Sequence, residues 1–439
     1  MPAVAPANPI SAPAPTPEPP RPLLAGARAT FRALRHRNFR LFWFGQLISL
    51  IGTWMQGAAQ WWLVHRLTSE PIWLGIVGAA AFLPVFLFSF LAGVVADRVP
   101  KRRLLVATQF SAMTLALVLS ALTFSDVVTV YHVAVIAFCL GIVNAFDMPA
   151  RQAFVIEMVG EDDLFNAIAL NSSVFNAARV VGPAVAGLVI AATGEAVCFL
   201  VNGLSFLPVI AGLLAMRLEK PRARPHRPVL HELSEGFSFV LRTVRVRAVL
   251  LAVAISSIFG MSFTILLPVF ADEILHQGAR GYGLLMGAFG VGAVTSALRL
   301  AARSSTRGSA RLITIGLGLF GTSLILLSFS RVFALSLVIL VLTGGAMITQ
   351  LATTNTYLQR VSPDAIRGRV LSIYSFTLVG VAPIGSFLAG FVAQHFGAPW
   401  SVRLGGIACL VGAGWFASRI PALRAAPPPA AAGSAQPGR

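Results

Sequence analysis

Charged residues are scarce in this chain of 439 residues, because Asp, Glu, Lys and Arg make up 11% of it while apolar residues make up 56%. Globular domains in water carry about 25% charged residues. Acidic residues are the scarcest, 16 against 34 basic ones, and none occurs between Ile274 and Pro363. The composition excludes a water-soluble domain and predicts a polytopic membrane protein. In a membrane protein the positions of the basic residues report on topology, so the net charge of +18 is interpreted in that way. No nucleic-acid partner is expected.

Motifs for metal binding, redox chemistry and ATP hydrolysis are also missing. The three cysteines, Cys139, Cys198 and Cys409, lie in separate apolar segments, where cysteine commonly packs as a small apolar side chain. Their spacing matches no metal site. No Gly-x4-Gly-Lys-Ser/Thr run occurs, and the polar connections are too short for a catalytic domain. We therefore expect no cofactor, and neither an enzyme nor an ATP-driven pump.

Apolar windows recur twelve times along the chain, each of about 20 residues and thus long enough to cross a hydrocarbon core of about 30 Å. The predicted spans are 40–66, 72–96, 104–125, 129–150, 165–193, 196–217, 248–271, 281–302, 311–330, 333–358, 368–394 and 400–420. The sequence therefore predicts an all-α membrane protein with twelve transmembrane helices.

Basic residues follow the positive-inside pattern. If the N-terminus is cytoplasmic, 29 of the 34 Lys and Arg residues fall on the cytoplasmic side of the membrane. An even number of helices then returns the C-terminus to the same side, so both termini are predicted to be cytoplasmic. The basic groups on that side would face anionic lipid headgroups.

A long charged connection divides the twelve helices into two halves of six. A weak internal repeat relates Val159-Gly-Glu-Asp-Asp-Leu, before the fifth helix, to Val361-Ser-Pro-Asp-Ala-Ile, before the eleventh. Duplicated halves are typical of secondary transporters. The predicted divisions are a disordered tail over 1–37, a six-helix bundle over 38–217, a cytoplasmic loop over 218–247, a second bundle over 248–421 and a disordered tail over 422–439.

The connection between the second and third helices carries a distinctive hinge, Gly93-x3-Asp97-Arg98-x2-Lys101-Arg102-Arg103. It resembles the motif between helices two and three of the major facilitator superfamily. Further segments resemble a bacterial exporter group of that superfamily, which includes the enterobactin exporter and macrolide efflux pumps. These segments are Arg37-Asn-Phe-Arg-Leu with Gly45-Gln46, Asn144-Ala-Phe-Asp147-Met-Pro-Ala-Arg151-Gln-Ala-Phe, Asn166-Ala-Ile-Ala-Leu-Asn171-Ser, and Ala178-Arg179-Val-Val-Gly182-Pro183.

The resemblance implies a 6+6 pseudo-two-fold fold in the bacterial inner membrane and proton-linked export of a bulky amphipathic compound by alternating access. In the superfamily, the hinge carboxylate pairs with neighbouring basic groups when the protein faces outward. Carried over, Asp97 and Arg98 are latch residues, with Asp147 as a third member at the inner end of the fourth helix. The alternative is a charge cluster that only sets topology.

Other gating candidates accompany this latch. Gly182 and Pro183 partly resemble the superfamily's antiporter motif, and their alternative role is close helix packing. No carboxylate occurs in the corresponding hinge of the second half, 299–311, so any latch is one-sided. The remaining gating candidates are Gly93, Arg102 and Arg151.

Arg179 lies near the middle of the fifth helix, where a cation is costly unless it faces a cavity or a partner. It is the leading substrate-binding candidate, and an anionic or catecholate-like substrate would suit it. The alternative is a buried pair with an interior carbonyl or carboxylate.

Polar side chains on three helices share a helical face and are predicted to line a central cavity. The alternative is hydrogen bonding between helices. The candidates are Gln46, Ser49, Thr53, Gln56 and Gln60 on the first helix, Asn171, Ser172 and Asn176 on the fifth, and Gln350, Thr354 and Tyr357 on the tenth, with Phe175 as an aromatic wall.

Proton coupling needs a carboxylate or histidine that changes charge in the transport path, and none lies near the centre of a predicted helix. Asp272 and Glu273, at the outer end of the seventh helix, are the coupling candidates, since they could load protons from outside. The alternative is that both are simply solvated.

Together these features predict a secondary exporter of a small amphipathic compound, siderophore-like or drug-like. It would act as a monomer and exchange its substrate for protons. Two alternatives stay open, a lysophospholipid flippase and a non-transporting membrane sensor with the same fold.

Overall fold

The computed structural model describes residues 31–217, 238–302, 308–363 and 366–425, without the side chains of Phe90, Asp97 and 422–425. Within this part the chain is helical and contains no strand. The predicted tails and central loop lie largely outside it. Residues 32–35, however, which belong to the segment predicted as a disordered tail, form a 3₁₀ turn.

Twelve long helices run through the described residues, and each coincides with a predicted span. They are α1 (Arg37–Leu67), α2 (Ile72–Arg98), α3 (Lys101–Phe124), α4 (Val130–Val159), α5 (Leu164–Thr193), α6 (Glu195–Ala215), α7 (Val244–Ile274), α8 (Gly278–Ala301), α9 (Ser309–Phe329), α10 (Phe333–Val361), α11 (Arg367–Phe396) and α12 (Ala398–Ala425). We call the face at which α1 begins and α12 ends the terminal face, and the opposite face the distal face.

Eleven helices of the described chain, α2 to α12, are apolar and long enough to cross a membrane. The remaining helix, α1, has 31 residues and is about 46 Å long, so it is also long enough to cross a membrane. Its mean hydropathy is reduced by polar side chains such as Gln46, Gln56 and Gln60, all of which are buried. Because α1 packs against α5 and α6, these groups are shielded from lipid.

The helices form two bundles of six. In the first, α1 packs against α5 and α6, α3 against α4 and α6, and α2 against α4. In the second, α10 packs against α8 and α9, and α12 against α9 and α11. The main contacts between the bundles are α2 with α11 and α5 with α8. A shift of six helices converts one of these pairs into the other, which agrees with the predicted pseudo-two-fold plan.

Glycine pairs bring the two bundles into backbone contact near the distal face. A β-carbon added to Gly187 of α5 would lie 2.5 Å from the Cα of Gly283 in α8. One added to Gly390 of α11 would lie 2.7 Å from the Cα of Gly75 in α2. Small residues permit such close approach of membrane helices. The distal half of the interface is therefore closed.

The bundles separate toward the terminal face. Along α2, contact with α11 continues to Phe86, whose ring stacks on that of Phe376 with centroids 5.4 Å apart. Two turns further on, a β-carbon at Gly93 would meet nothing within 4 Å. On the other side, Phe165 at the start of α5 is 86% exposed. The described structure is thus closed at the distal face and open at the terminal face.

Irregular turns interrupt α7 and α11. Residues Ser256–Gly260 and Phe376–Gly380 form π-turns, which leave carbonyls without their helical partners. The Ser257 hydroxyl donates to the Leu378 carbonyl at 2.6 Å, so the two irregular segments are joined by a side chain. Each is followed by a proline, Pro268 in α7 and Pro383 in α11, which cannot extend a regular hydrogen-bond ladder.

We expect Gly187→Val to lower the melting temperature of the purified protein, because the new side chain must push α5 and α8 apart. Overpacking of this kind costs about 1–3 kcal/mol. The matched control is Gly57→Val in α1, where a β-carbon meets nothing within 4 Å. Equal melting temperatures for the two variants would show that the backbone contact adds no stability.

Candidate functional site

Arg179 lies in the middle of α5, at the interface between the two bundles. Its guanidinium carbon is 5.6 Å from the ring centroid of Trp54 in α1 and 5.8 Å from that of Phe289 in α8. Among the described residues it makes no ion pair, so the alternative of a buried carboxylate pair is not observed there. A cation over aromatic faces gains about 0.5–2 kcal/mol, which leaves its charge uncompensated.

Aromatic rings surround this cation on both sides of the interface. Trp54 meets Phe175 edge to face at 5.6 Å, and Phe289 meets Phe263 in the same way at 5.5 Å. Phe175 is 45% exposed while Phe289 is buried, so the ring of Phe175 forms part of the open wall beside the guanidinium. The cluster therefore offers one positive charge within an apolar surface.

Asp147 lies deeper than the sequence predicted. The prediction placed it at the inner end of a span closing at residue 150, but α4 continues to Val159, which puts Asp147 close to the middle of the helix. Its side chain is buried and accepts hydrogen bonds from Thr108 and Gln109 of α3, both at 2.8 Å, and from Arg151 one turn later. The expectation that no carboxylate lies near a helix centre is therefore wrong.

Arg151 connects this carboxylate to the first helix. Its guanidinium donates to the Gln46 side-chain oxygen at 2.7 Å, so α1, α3 and α4 are joined by one polar network. The corresponding positions of α10, 203 residues later, are Gln350 and Thr354, which are uncharged and completely buried. Gln350 donates to Ser256 of α7 at 3.1 Å. The second bundle thus repeats the link between helices without charge.

The polar stripe of α1 is turned mainly into the first bundle. Gln46 bonds to Arg151, and Gln56 accepts from Asn202 of α6 at 2.6 Å. Gln60 is also buried, whereas Thr53 is exposed and donates to the carbonyl one turn earlier. For Gln46 and Gln56 the structure favours the alternative of hydrogen bonding between helices.

The remaining polar candidates are more open. Asn171 and Asn176 of α5 are half-buried, and the Asn176 amide donates to the Ser172 carbonyl at 2.8 Å. Tyr357 of α10 is half-buried as well. These side chains lie on the terminal-face side of Arg179 or level with it, where the bundles separate.

The hinge residues occupy the terminal face. Arg98 is exposed, whereas Arg102 donates to the carbonyls of Leu214 and Met216 and thereby caps α6. The side chain of Asp97 lies outside the described residues, so the latch stays a prediction. Gly182 packs against α1, where an added β-carbon would lie 2.5 Å from that of Trp54. The next residue, Pro183, is buried.

Asp163, at the start of α5, anchors the 3₁₀ turn, a role that the sequence did not reveal. Its carboxylate has no exposed surface and pairs with His36 at 2.7 Å, with Arg35 at 2.8 Å and with Arg32. Asp163 is the N-cap residue of α5, but its side chain makes no capping hydrogen bond. The hydrogen bond from His36, with the arginines beside it, holds the pKa of this carboxyl below its usual range.

His65, near the distal end of α1, is a second residue that sequence reasoning missed. Its Nε2 lies 3.1 Å from an Asp272 oxygen and its Nδ1 lies 4.0 Å from a Glu273 oxygen, both on α7. One turn earlier, the ring of Trp62 stacks on Tyr282 of α8 at 5.9 Å. The predicted coupling carboxylates therefore take part in a contact between the bundles.

Comparison with known proteins gives one family and a shared fold. The family described as transmembrane secretion effector matches residues 28–432. The staphyloferrin A transporter of Staphylococcus aureus is 25% identical over 383 residues, covering 84% of this chain and 93% of that protein. The multidrug efflux pump Tap of Mycolicibacterium fortuitum is 28% identical over 350 residues, covering 76% and 84%. A bacterial homolog of the human lysosomal transporter Spinster has a TM-score of 0.69 at 12% identity, covering 87% and 96%.

We expect Asp163→Asn to release the 3₁₀ turn and to speed tryptic cleavage after Arg35, measured by mass spectrometry of the purified protein. Asp162→Asn is the control, because only the backbone carbonyl of Asp162 contacts Arg32. Since the folded pKa of Asp163 is lowered, its stabilising contribution is complete above the ordinary value of 3.8 and is lost as the pH falls through the folded value. Unchanged cleavage in Asp163→Asn at neutral pH would contradict the anchoring role.

Proposed function

Because this chain belongs to the transmembrane secretion effector family of the major facilitator superfamily, we propose that it exports a small amphipathic compound across the bacterial inner membrane. It would work by alternating access and exchange its substrate for protons. The family and its relatives are multi-pass membrane transporters rather than enzymes. In this proposal the protein acts as a monomer with both termini in the cytoplasm, so the terminal face opens inward and its basic residues lie against anionic lipids.

The arrangement of the bundles supports alternating access. The two bundles touch through glycine pairs and stacked rings in the distal half and separate toward the terminal face. A rocking movement that opened one end and closed the other would carry a bound molecule past the middle of the membrane. In the outward-facing state, the inner end of α2 at Gly93 would approach the second bundle, and Asp97 and Arg98 would then serve as the latch.

The proposed substrate class rests on the position of Arg179. Arg179 has no carboxylate partner among the described residues, and it lies in the middle of a membrane-spanning helix between the bundles. A cation in such a position is costly unless a ligand or cavity compensates it. Its aromatic surroundings suit an apolar body that carries a negative group. Two relatives are named for a siderophore, staphyloferrin A, and for multiple drugs, which is consistent with an amphipathic substrate.

We expect Arg179→Gln to reduce efflux of a negatively charged amphipathic dye such as carboxyfluorescein by about tenfold, because one hydrogen bond to a charged group contributes about 1.5–3 kcal/mol. Arg179→Lys should retain part of the activity, since it keeps the charge. The control is Arg403→Gln, which removes another cation that lies over aromatic rings, Phe329 and Trp400, but away from the bundle interface. Equal efflux by Arg179→Gln and wild type would exclude a substrate-binding role for Arg179.

Proton antiport is tested in proteoliposomes loaded with the same dye. An inward proton gradient should accelerate dye efflux, and an ionophore that collapses the gradient should abolish the acceleration. Translocation of a headgroup-labelled lysophospholipid in place of the dye would support the flippase instead. Dye flux that is insensitive to the gradient would reject proton antiport.

A further inference from the structure

The distal closure contains one histidine that lies between two carboxylates of the opposite bundle. The His65 side chain is 8% exposed, whereas those of Asp272 and Glu273 are 49% and 54% exposed. The imidazole also packs edge to face on Trp62, at 5.8 Å. Histidine is the side chain whose ordinary pKa allows a charge change between pH 5 and 8. A protonated ring donates from both nitrogens, so it can keep the hydrogen bond to Asp272 while its positive charge lies 4.0 Å from the Glu273 oxygen.

We propose that His65 is a proton-binding site that closes the distal face of this protein, with Asp272 of α7 as its hydrogen-bond acceptor and Glu273 as a second negative charge beside it. The proton binds more tightly when the bundles touch, because separation of α1 from α7 would place all three groups in water. By linkage, acid on the distal side must then favour the distal-closed state. The inference rests on the proposed function only in so far as the distal face is a transport gate.

The groups around His65 make this assignment specific. On α1, Arg66 is already paired with Glu195 of α6, at 2.9 Å, so the nearest cation and the carboxylate of α6 are both engaged. On α4, His132 bonds to Thr129 within its own capping box. The distal half of α5, residues 180–193, contains no titratable side chain.

The second bundle supplies the other neighbours. Arg280 and Tyr282 of α8 and His276 of the α7–α8 connection lie at the same end. Tyr282 is completely buried under Trp62, and its hydroxyl has no hydrogen-bond partner among the described residues. None of these groups bonds to His65. Asp272 and Glu273 are therefore its charged partners in the described structure.

Closure of the distal face by acid is the direction that proton-driven export requires. In the outward-facing state, His65 and both carboxylates would be hydrated and could take up a proton from the external side. The protonated ring would then stabilise the return to the distal-closed state, in which a new substrate binds from inside. Asp272 and Glu273, the coupling candidates predicted from the sequence, become the negative charges that hold the protonated histidine.

The test measures closure directly as a function of pH. Spin labels at Val127→Cys and Val332→Cys report the separation of the two bundles, because both positions are exposed distal residues of opposite bundles. Cys139, Cys198 and Cys409 are replaced by alanine, and the distance distribution is recorded between pH 5 and 8. We expect the closed-to-open ratio to rise as the pH falls, by at most about tenfold per pH unit if closure takes up one proton.

His65→Gln should remove this pH response, and His65→Arg should keep the distal face closed throughout the pH range. Asp272→Asn with Glu273→Gln should reduce the response in the same way as His65→Gln. His395→Gln is the control, since His395 lies on the distal face but bonds to a carbonyl within its own helix, at 2.9 Å. A wild-type distance distribution that is constant from pH 5 to 8, or an unchanged response in His65→Gln, would overturn the inference.

Transport assays separate this inference from the proposed function. If wild-type closure depends on pH through His65 but dye efflux ignores the proton gradient, proton antiport fails and the proton site stands. If efflux follows the gradient in wild type while the spin-label distances do not depend on pH, the function stands and the proton site fails.

Discussion

Backbone packs directly on backbone where the two bundles meet, and the other features of this molecule depend on that contact. At Gly187 with Gly283, and at Gly75 with Gly390, no side chain separates the helices. Contacts of this kind set a closer distance between the bundles than a layer of larger side chains would permit. With the distal half fixed, the position of Arg179 between Trp54 and Phe289 is fixed as well.

Charge is distributed unequally over two halves that share one plan. The first bundle joins its helices through Asp147 and Arg151, whereas in the second the matching positions are Gln350, which donates to Ser256 of α7, and Thr354. Several polar oxygens of the second set have no partner in the described structure, among them those of Gln350 and Thr354. An uncharged link avoids the desolvation cost of a buried ion pair. In a charged link, removal of one partner leaves the other charge buried and unpaired, which strongly destabilises the fold. The first bundle is therefore the one with strongly directional internal contacts.

Much of this fold could be predicted from the sequence, because apolar length and the distribution of arginine report directly on the membrane. All twelve predicted spans coincide with helices, and Arg179 was recognised because a cation in the middle of an apolar helix is conspicuous. Boundaries were less certain: α4 continues nine residues beyond its predicted end, because polar residues near the membrane surface can still be helical. That single error moved Asp147 from the surface to the interior.

Contacts between distant residues were beyond the reach of a single sequence. His65 and Asp272 are 207 residues apart, and nothing in the local pattern of either segment indicates the other. The same holds for Asp163 and Arg32, which are paired although they lie 131 residues apart. The polar stripe on α1 was visible in the sequence as a periodicity. A periodicity shows which side chains share one face of a helix, but not which helices that face contacts. Only packing shows that Gln46 and Gln56 point into the first bundle.

The polarity of α1 also constrains how the molecule is made. This helix precedes the other eleven in the chain, yet among the twelve it is the one whose composition is not apolar enough for a membrane-spanning helix. The groups that satisfy it, Arg151 and Asn202, are synthesised 105 and 146 residues after their partners Gln46 and Gln56. Stable insertion of the first span is therefore completed only after the fourth and sixth have been made, so the first bundle is integrated as a unit and not helix by helix.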